Sequence, residues 1–219
     1  YCMHRHKPDD RRLGEPLCPD CYDYEGHVLW QWKAPELWRR FRIALDRELA
    51  STLGVAERRL RDVARVDYSK VAEFQARGLI HVHALVRLDG PDGPDTAPPA
   101  RIDALALGEV VTAAARRVRC SVAAPGCRPL ELRWGDQIDT RPIAVDAGRD
   151  DKSGPAHPAQ LAAYLAKYLT KATEDFGLPT RVLSAAHAAS GGASRHAVRI
   201  IETAQRIAAE RRAGAGRPR

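Results

Sequence analysis

The tripeptide His81-Val82-His83 lies inside the apolar run LIHVHALV. In a strand, alternate side chains share a face, so the two imidazoles point the same way. Paired imidazoles make half of a divalent-metal site. If the chain turns at Ala76-Arg77-Gly78, Gln75 lies across from Leu79 and Glu73 across from His81. Cross-strand partners sit about 4.5–5.5 Å apart at Cβ, so the Glu73 carboxylate could complete a three-ligand set. Two imidazoles and a carboxylate leave positions open for a substrate oxygen, and such mixed sites suit Mg or Mn when the substrate brings phosphate. Taken alone, the same pattern also describes two surface histidines on the solvated face of a sheet.

A second group is Tyr164-Leu-Ala-Lys-Tyr-Leu-Thr-Lys171. The chain has six tyrosines and six lysines, yet two of each fall in this octapeptide. On a helix, residues four apart lie on one face, which stacks Tyr164 on Tyr168 and Lys167 on Lys171. Leu161, Leu165 and Leu169 would dock that helix; the plainer reading is an amphipathic helix with marginal tyrosines and snorkelling lysines. Taken with the histidines, the group suggests a mechanism. A metal held by His81, His83 and Glu73 would act as a Lewis acid on a DNA phosphate. A tyrosine would attack the phosphorus, leaving a free 3′-OH and a protein–DNA phosphodiester. Because a phenol ionises near pH ~10, Lys167 and Lys171 would favour the phenolate electrostatically. A second tyrosine could then act on a new strand while the first holds the old end.

The third group is Cys2-x₃-His6 with Cys18-Pro-Asp-Cys21. The latter is a zinc-knuckle-like turn, and Cys2 with His6 (or His4) could supply the other pair. Residues 1–24 carry little to build a core, so a structural zinc would staple them. Cys120 and Cys127 lack a partner at ligand spacing and read as ordinary thiols. His27, His157, His187 and His196 have no companions in sequence. Trp30, Trp32, Trp38 and Trp134 read as core or helix-docking residues, and Arg77, Arg87 and Lys70 flank the metal strands where phosphates could be met.

Several elements must position these groups. Leu37, Phe41, Ala44, Leu45 and Leu49 recur at helical spacing, which predicts an amphipathic helix from Pro35 to about Leu53, ended by Gly54. Residues 63–88 change to a strand period and predict a hairpin, with Gly78 where a positive φ is needed. The stretch 90–99 (GPDGPDTAPP) is a loop by composition. A helix over 102–119 is expected next, then short strands near 119–123, 129–134 and 138–145. A polar loop over 146–158, helices over about 159–175 and 194–212, and a basic tail Arg211–Arg219 complete the chain. Helices interleaved with antiparallel strands predict an α+β fold, with helices packed on a central antiparallel sheet.

Composition sets the outer limits. Of 219 residues, 44% are hydrophobic, enough for a core and against wholesale disorder. No apolar run approaches the roughly 18–20 residues that span a bilayer, and no charged-then-apolar leader opens the chain, so a membrane partner is not expected. Thirty-five Lys and Arg against 28 Asp and Glu give a net charge of +7, which favours polyanions. Five cysteines without a pairing pattern fit a reducing cytoplasm. The chain opens at Tyr1 with Met3 as its sole methionine, which reads as a piece of a longer protein.

With these motifs in place, the chain resembles the HUH endonucleases, specifically the two-tyrosine rolling-circle replication initiators of actinobacterial plasmids and integrative conjugative elements. The resemblance rests on HVH among apolar residues followed by YLAKYLTK, and on LGEPLCPDCYDYEG, LWRRF, KVAEFQARGLIHVHALVRLDG and DTRPI, across most of positions 2–175. It implies His81 and His83 as metal ligands, Tyr164 and Tyr168 as nucleophiles and Lys167 and Lys171 as their associated lysines. Glu73 as third ligand rests on the hairpin register. The implied organisation is a zinc-binding segment over 1–30, an HUH domain over 31–180, and a C-terminal helix and basic tail over 181–219. The apolar strand motif that precedes the Cys/His segment in such initiators has no equivalent here. The activity implied is metal-dependent, site-specific nicking of single-stranded or origin DNA through a 5′-phosphotyrosine, in company with a host helicase or polymerase. A relaxase or transposase would use the same chemistry, and a truncated origin binder would lack it.

Overall fold

The computed structural model describes residues 18–75, 77–143 and 184–215. Its organising element is α1, Tyr24–Leu53. The Asp23 carboxylate caps it by accepting from the Gly26 amide at 2.8 Å, and Gly54 closes it at φ 70. The apolar spacing from Leu37 onward places the start at Pro35. Instead Pro35 lies inside the helix, where it removes one backbone donor and leaves Gln31 as the residue whose carbonyl loses its bond. Leu29, Leu37, Phe41, Leu45 and Leu49 are buried along one stripe. Full burial of such side chains stabilises by roughly 1.5–3 kcal/mol each.

A 3-10 turn, Glu57–Asp62, leads into β1, Arg65–Phe74, which pairs antiparallel with β2, Ile80–Asp89. Gly78 has φ 77, as the turn requires. Tyr68 meets Trp38 of α1 at 5.2 Å between rings, and Val66, Val86 and Leu88 join the core. The even-numbered face of the hairpin therefore covers α1. The odd-numbered face carries Glu73, His81 and His83.

Helix α2, Ala104–Arg117, buries Val110, Ala114 and Ala115 against α1. It is followed by β3, Cys120–Val122, paired antiparallel with β4, Leu130–Leu132. Among the described residues the strands thus form two two-stranded sheets in an α+β arrangement. Residues 138–142 carry no strand where one was expected. A short helix α3, Ala185–Ser190, precedes α4, Arg195–Ala215, which packs on α1. The basic residues Arg211 and Arg212 belong to that helix. Trp30, Trp38 and Trp134 cluster on α1 and beside β4, whereas Trp32 is 44% exposed with the Arg211 guanidinium 3.9 Å over its ring. The helix expected over 159–175 and the first half of the Cys/His group lie outside the described residues.

Candidate functional site

The hairpin register pairs Glu73 with His81 and Val71 with His83. The His81 and His83 rings lie side by side, 4.6 Å between centroids. Glu73 reaches along the strand rather than straight across: its Oε1 is 3.3 Å from His83 Nε2, and both side chains are largely buried. His81 is met instead by Gln75, whose side-chain amide nitrogen lies 3.2 Å from Nδ1. Burial, with the neighbouring His83 second, holds the His81 imidazole below its ordinary pKa. It is neutral near pH 7 and so keeps a lone pair for a ligand bond.

The donor types suit a small divalent cation. Two donors about 2.1 Å from such an ion at a right angle are about 3 Å apart, close to the Glu73–His83 separation. His81 does not yet converge with them: among the described residues no group of three or more His, Cys, Asp or Glu encloses a metal position. With the amide nitrogen of Gln75 donating to Nδ1, the proton sits on Nε2; the flipped amide would accept from Nδ1–H and free Nε2. Gln75 is therefore the residue that sets which nitrogen of His81 is available.

Three contacts from distant elements fix this end of the hairpin. Gln31 of α1 donates its amide to the Gly78 carbonyl at 2.9 Å and accepts from the Ile80 N–H at 3.0 Å. His196 of α4 lies with Nε2 2.9 Å from the Arg77 carbonyl and Nδ1 3.0 Å from the Tyr24 hydroxyl. Both bonds are satisfied when Nε2–H donates to the carbonyl and Tyr24 O–H donates to Nδ1. His27 packs 6.3 Å from His196, its Nδ1 2.8 Å from the Tyr22 hydroxyl. Burial, then His196, pushes its pKa down to about 4. Sequence reading leaves His27 and His196 without companions, because the fold brings their partners from remote segments.

The same cluster holds the Cys18-Pro-Asp-Cys21 turn, closed by the Cys21 amide donating to the Cys18 carbonyl at 3.2 Å. Arg199 donates to the Pro19 carbonyl at 3.0 Å and to Asp20 at 2.7 Å, tying the turn to α4. Cys2, His4 and His6 lie outside the described residues, as do Tyr164, Lys167, Tyr168 and Lys171. Of the flanking cations, Arg87 is engaged by Asp89 at 2.9 Å and Asp67 at 3.6 Å, and Lys70 sits 5.0 Å over Trp38. Arg77 makes no ion pair among the described residues. Among those residues no helix is long and apolar enough to cross a membrane.

Comparison with known proteins adds to this geometry. The family model RepSA, described as "Replication initiator protein, pSAM2", matches residues 1–218. Over 179 residues the chain is 45% identical to a curated protein of Streptomyces ambofaciens named "Replication initiator protein", covering 80% of this chain. The chain spans 38% of that relative's length. No solved structure matches significantly. On the family model and this relative together, the chain belongs to the RepSA family of replication initiator proteins.

Proposed function

We propose that this chain carries the HUH-type nicking centre of a rolling-circle replication initiator. The observation that carries the reading is the pairing of His81 and His83 on one strand face, with Glu73 Oε1 3.3 Å from His83 Nε2. His81, His83 and Glu73 would hold Mg or Mn, and Gln75 would orient His81. When bound, the ion supplies Lewis-acid polarisation of a non-bridging phosphate oxygen. Tyr164 or Tyr168 attacks phosphorus; the Tyr Oη–P bond forms as the P–O3′ bond breaks. The phenol gives up its proton, the 3′ oxygen gains one, and DNA is left joined through a 5′-phosphotyrosine. Lys167 and Lys171 favour the phenolate by their charge. The buried, partly neutral surroundings of the histidines strengthen these electrostatic effects relative to water.

A structural zinc on Cys18 and Cys21, with Cys2 and His6, would staple the N-terminal segment. The formed turn at Cys18–Cys21 and its anchoring on α4 support that assignment. Origin DNA and the host replication machinery are the implied partners, and a reducing cytoplasm is the implied compartment. The family description favours replication over a relaxase or transposase of the same chemistry. The test is nicking of single-stranded oligonucleotides with Mg or Mn. His81→Ala with His83→Ala should abolish metal-dependent cleavage while binding persists through phosphate contacts elsewhere. Undiminished cleavage by that variant would refute the metal assignment.

A further inference from the structure

We propose that the cleft between α1, the 3-10 turn and the start of β1 is a second DNA site, which takes successive phosphates of the backbone. The cleft measures about 900 Å³ and is lined by Arg42, Arg58, Arg61 and Arg65. None of these four guanidiniums makes an ion pair among the described residues. The acidic groups on its walls are mostly committed elsewhere. Glu57 is held by Arg47 at 3.2 Å, and Asp67 lies 3.6 Å from Arg87. Asp46 remains; burial pushes its carboxyl pKa up while the Arg42 and Arg61 charges pull it back down, so one carboxylate faces the four arginines.

The arrangement is also pre-ordered. Arg42 lies 4.4 Å over the Tyr68 ring, which is itself braced by Trp38, so its guanidinium is fixed before any ligand arrives. Arg58 and Arg61 project from one short turn and Arg65 from the strand that follows, all exposed. Guanidiniums in excess of the carboxylates that face them suit phosphate oxygens better than any neutral ligand. The strand from Asp67 to Glu73 separates the cleft from the histidine pair by six residues, about 20 Å. That the polyanion is DNA rests on the replication-initiator reading.

The experiment measures binding of labelled oligonucleotides, single-stranded and duplex, by fluorescence anisotropy across a salt series. The triple variant Arg58→Ala, Arg61→Ala, Arg65→Ala should bind at least tenfold more weakly in one arm or both. Its log K against log salt should flatten by about 2–3, since each lost contact removes roughly 0.7–0.9 from the slope. Triple replacement by Lys should restore the slope. Arg61→Glu alone, a single exposed change, should weaken binding in the same direction. The same fold-loss is expected in a His81→Ala, His83→Ala background, so failure of the nicking reading leaves this result unaffected. The arm that loses affinity identifies single-stranded or duplex DNA as the ligand. Affinity and slope within twofold of the parent in both arms would overturn the proposal.

Discussion

Glu73 and His81 are register partners across the hairpin, yet the Glu73 carboxylate lies against His83, two residues along, at 3.3 Å. His81 is met by Gln75 instead. The two histidines of one strand therefore have different partners: a carboxylate for one and a neutral amide for the other. In a metal site this makes Glu73 a ligand shared with the inner histidine and Gln75 an orienting group for the outer one.

That division predicts an effect at each partner. Glu73→Gln removes a negative ligand and should raise the Mn concentration for half-maximal nicking by well over tenfold. Gln75→Leu leaves the ligands in place and should raise it by about 10–100-fold, the cost of losing an orienting partner. Titration of activity against Mn checks both; equal, negligible shifts would contradict the assignment.

Gln31 ties α1 to the hairpin through the Gly78 carbonyl and the Ile80 amide. Gln31→Ala leaves both groups seeking partners and should cost about 1–3 kcal/mol in urea unfolding. Gln31→Glu keeps the acceptor for Ile80 N–H but loses the donor to Gly78, so it should fall between the two. A midpoint for Gln31→Ala equal to wild type would show that the clamp is dispensable.

The buried His27, with a pKa near 4, makes stability depend on pH. The unfolded chain takes up a proton near pH 6.5 that the folded chain refuses until about 4, so its contribution is complete above 6.5 and is lost as pH falls towards 4. The loss is at most about 2–3 kcal/mol after solvent screening. Urea midpoints from pH 7.5 to 4.5 should fall for wild type and fall less for His27→Gln. Parallel curves would assign the acid sensitivity to other groups.

Zinc content offers an independent check on the N-terminal segment. The chain purified without chelator should carry one zinc, and Cys18→Ser should lower that content and the melting temperature together. A metal-free chain with an unchanged melting temperature would contradict the staple.

Much of the hairpin is legible in the sequence because its signals are local. Alternation over 65–89 and Gly78 at a positive φ fix the turn and hence the Glu73–His81 register. The helical stripe through Leu37, Phe41, Leu45 and Leu49 is equally local. The start of α1 at Tyr24 is not legible, because the regular apolar spacing begins only at Leu37 and a proline interrupts the helix before it. Neither is the bracing by Gln31 and His196, since those residues meet the turn from 47 and 119 positions away. The diagonal reach of Glu73 depends on side-chain rotamers, which register alone leaves open. The arginine cleft escapes for a further reason: its charge excess depends on which carboxylates are already paired.

The most direct measurement is capture of the covalent intermediate. The chain is incubated with single-stranded oligonucleotides spanning the element's candidate origin, with Mg or Mn, and analysed by denaturing gel and peptide mass mapping. A metal-dependent DNA adduct is expected on Tyr164 or Tyr168, reduced in each single Phe variant and absent from Tyr164→Phe, Tyr168→Phe. Undiminished adduct in that double variant, or an adduct mapped to any other residue, would contradict it.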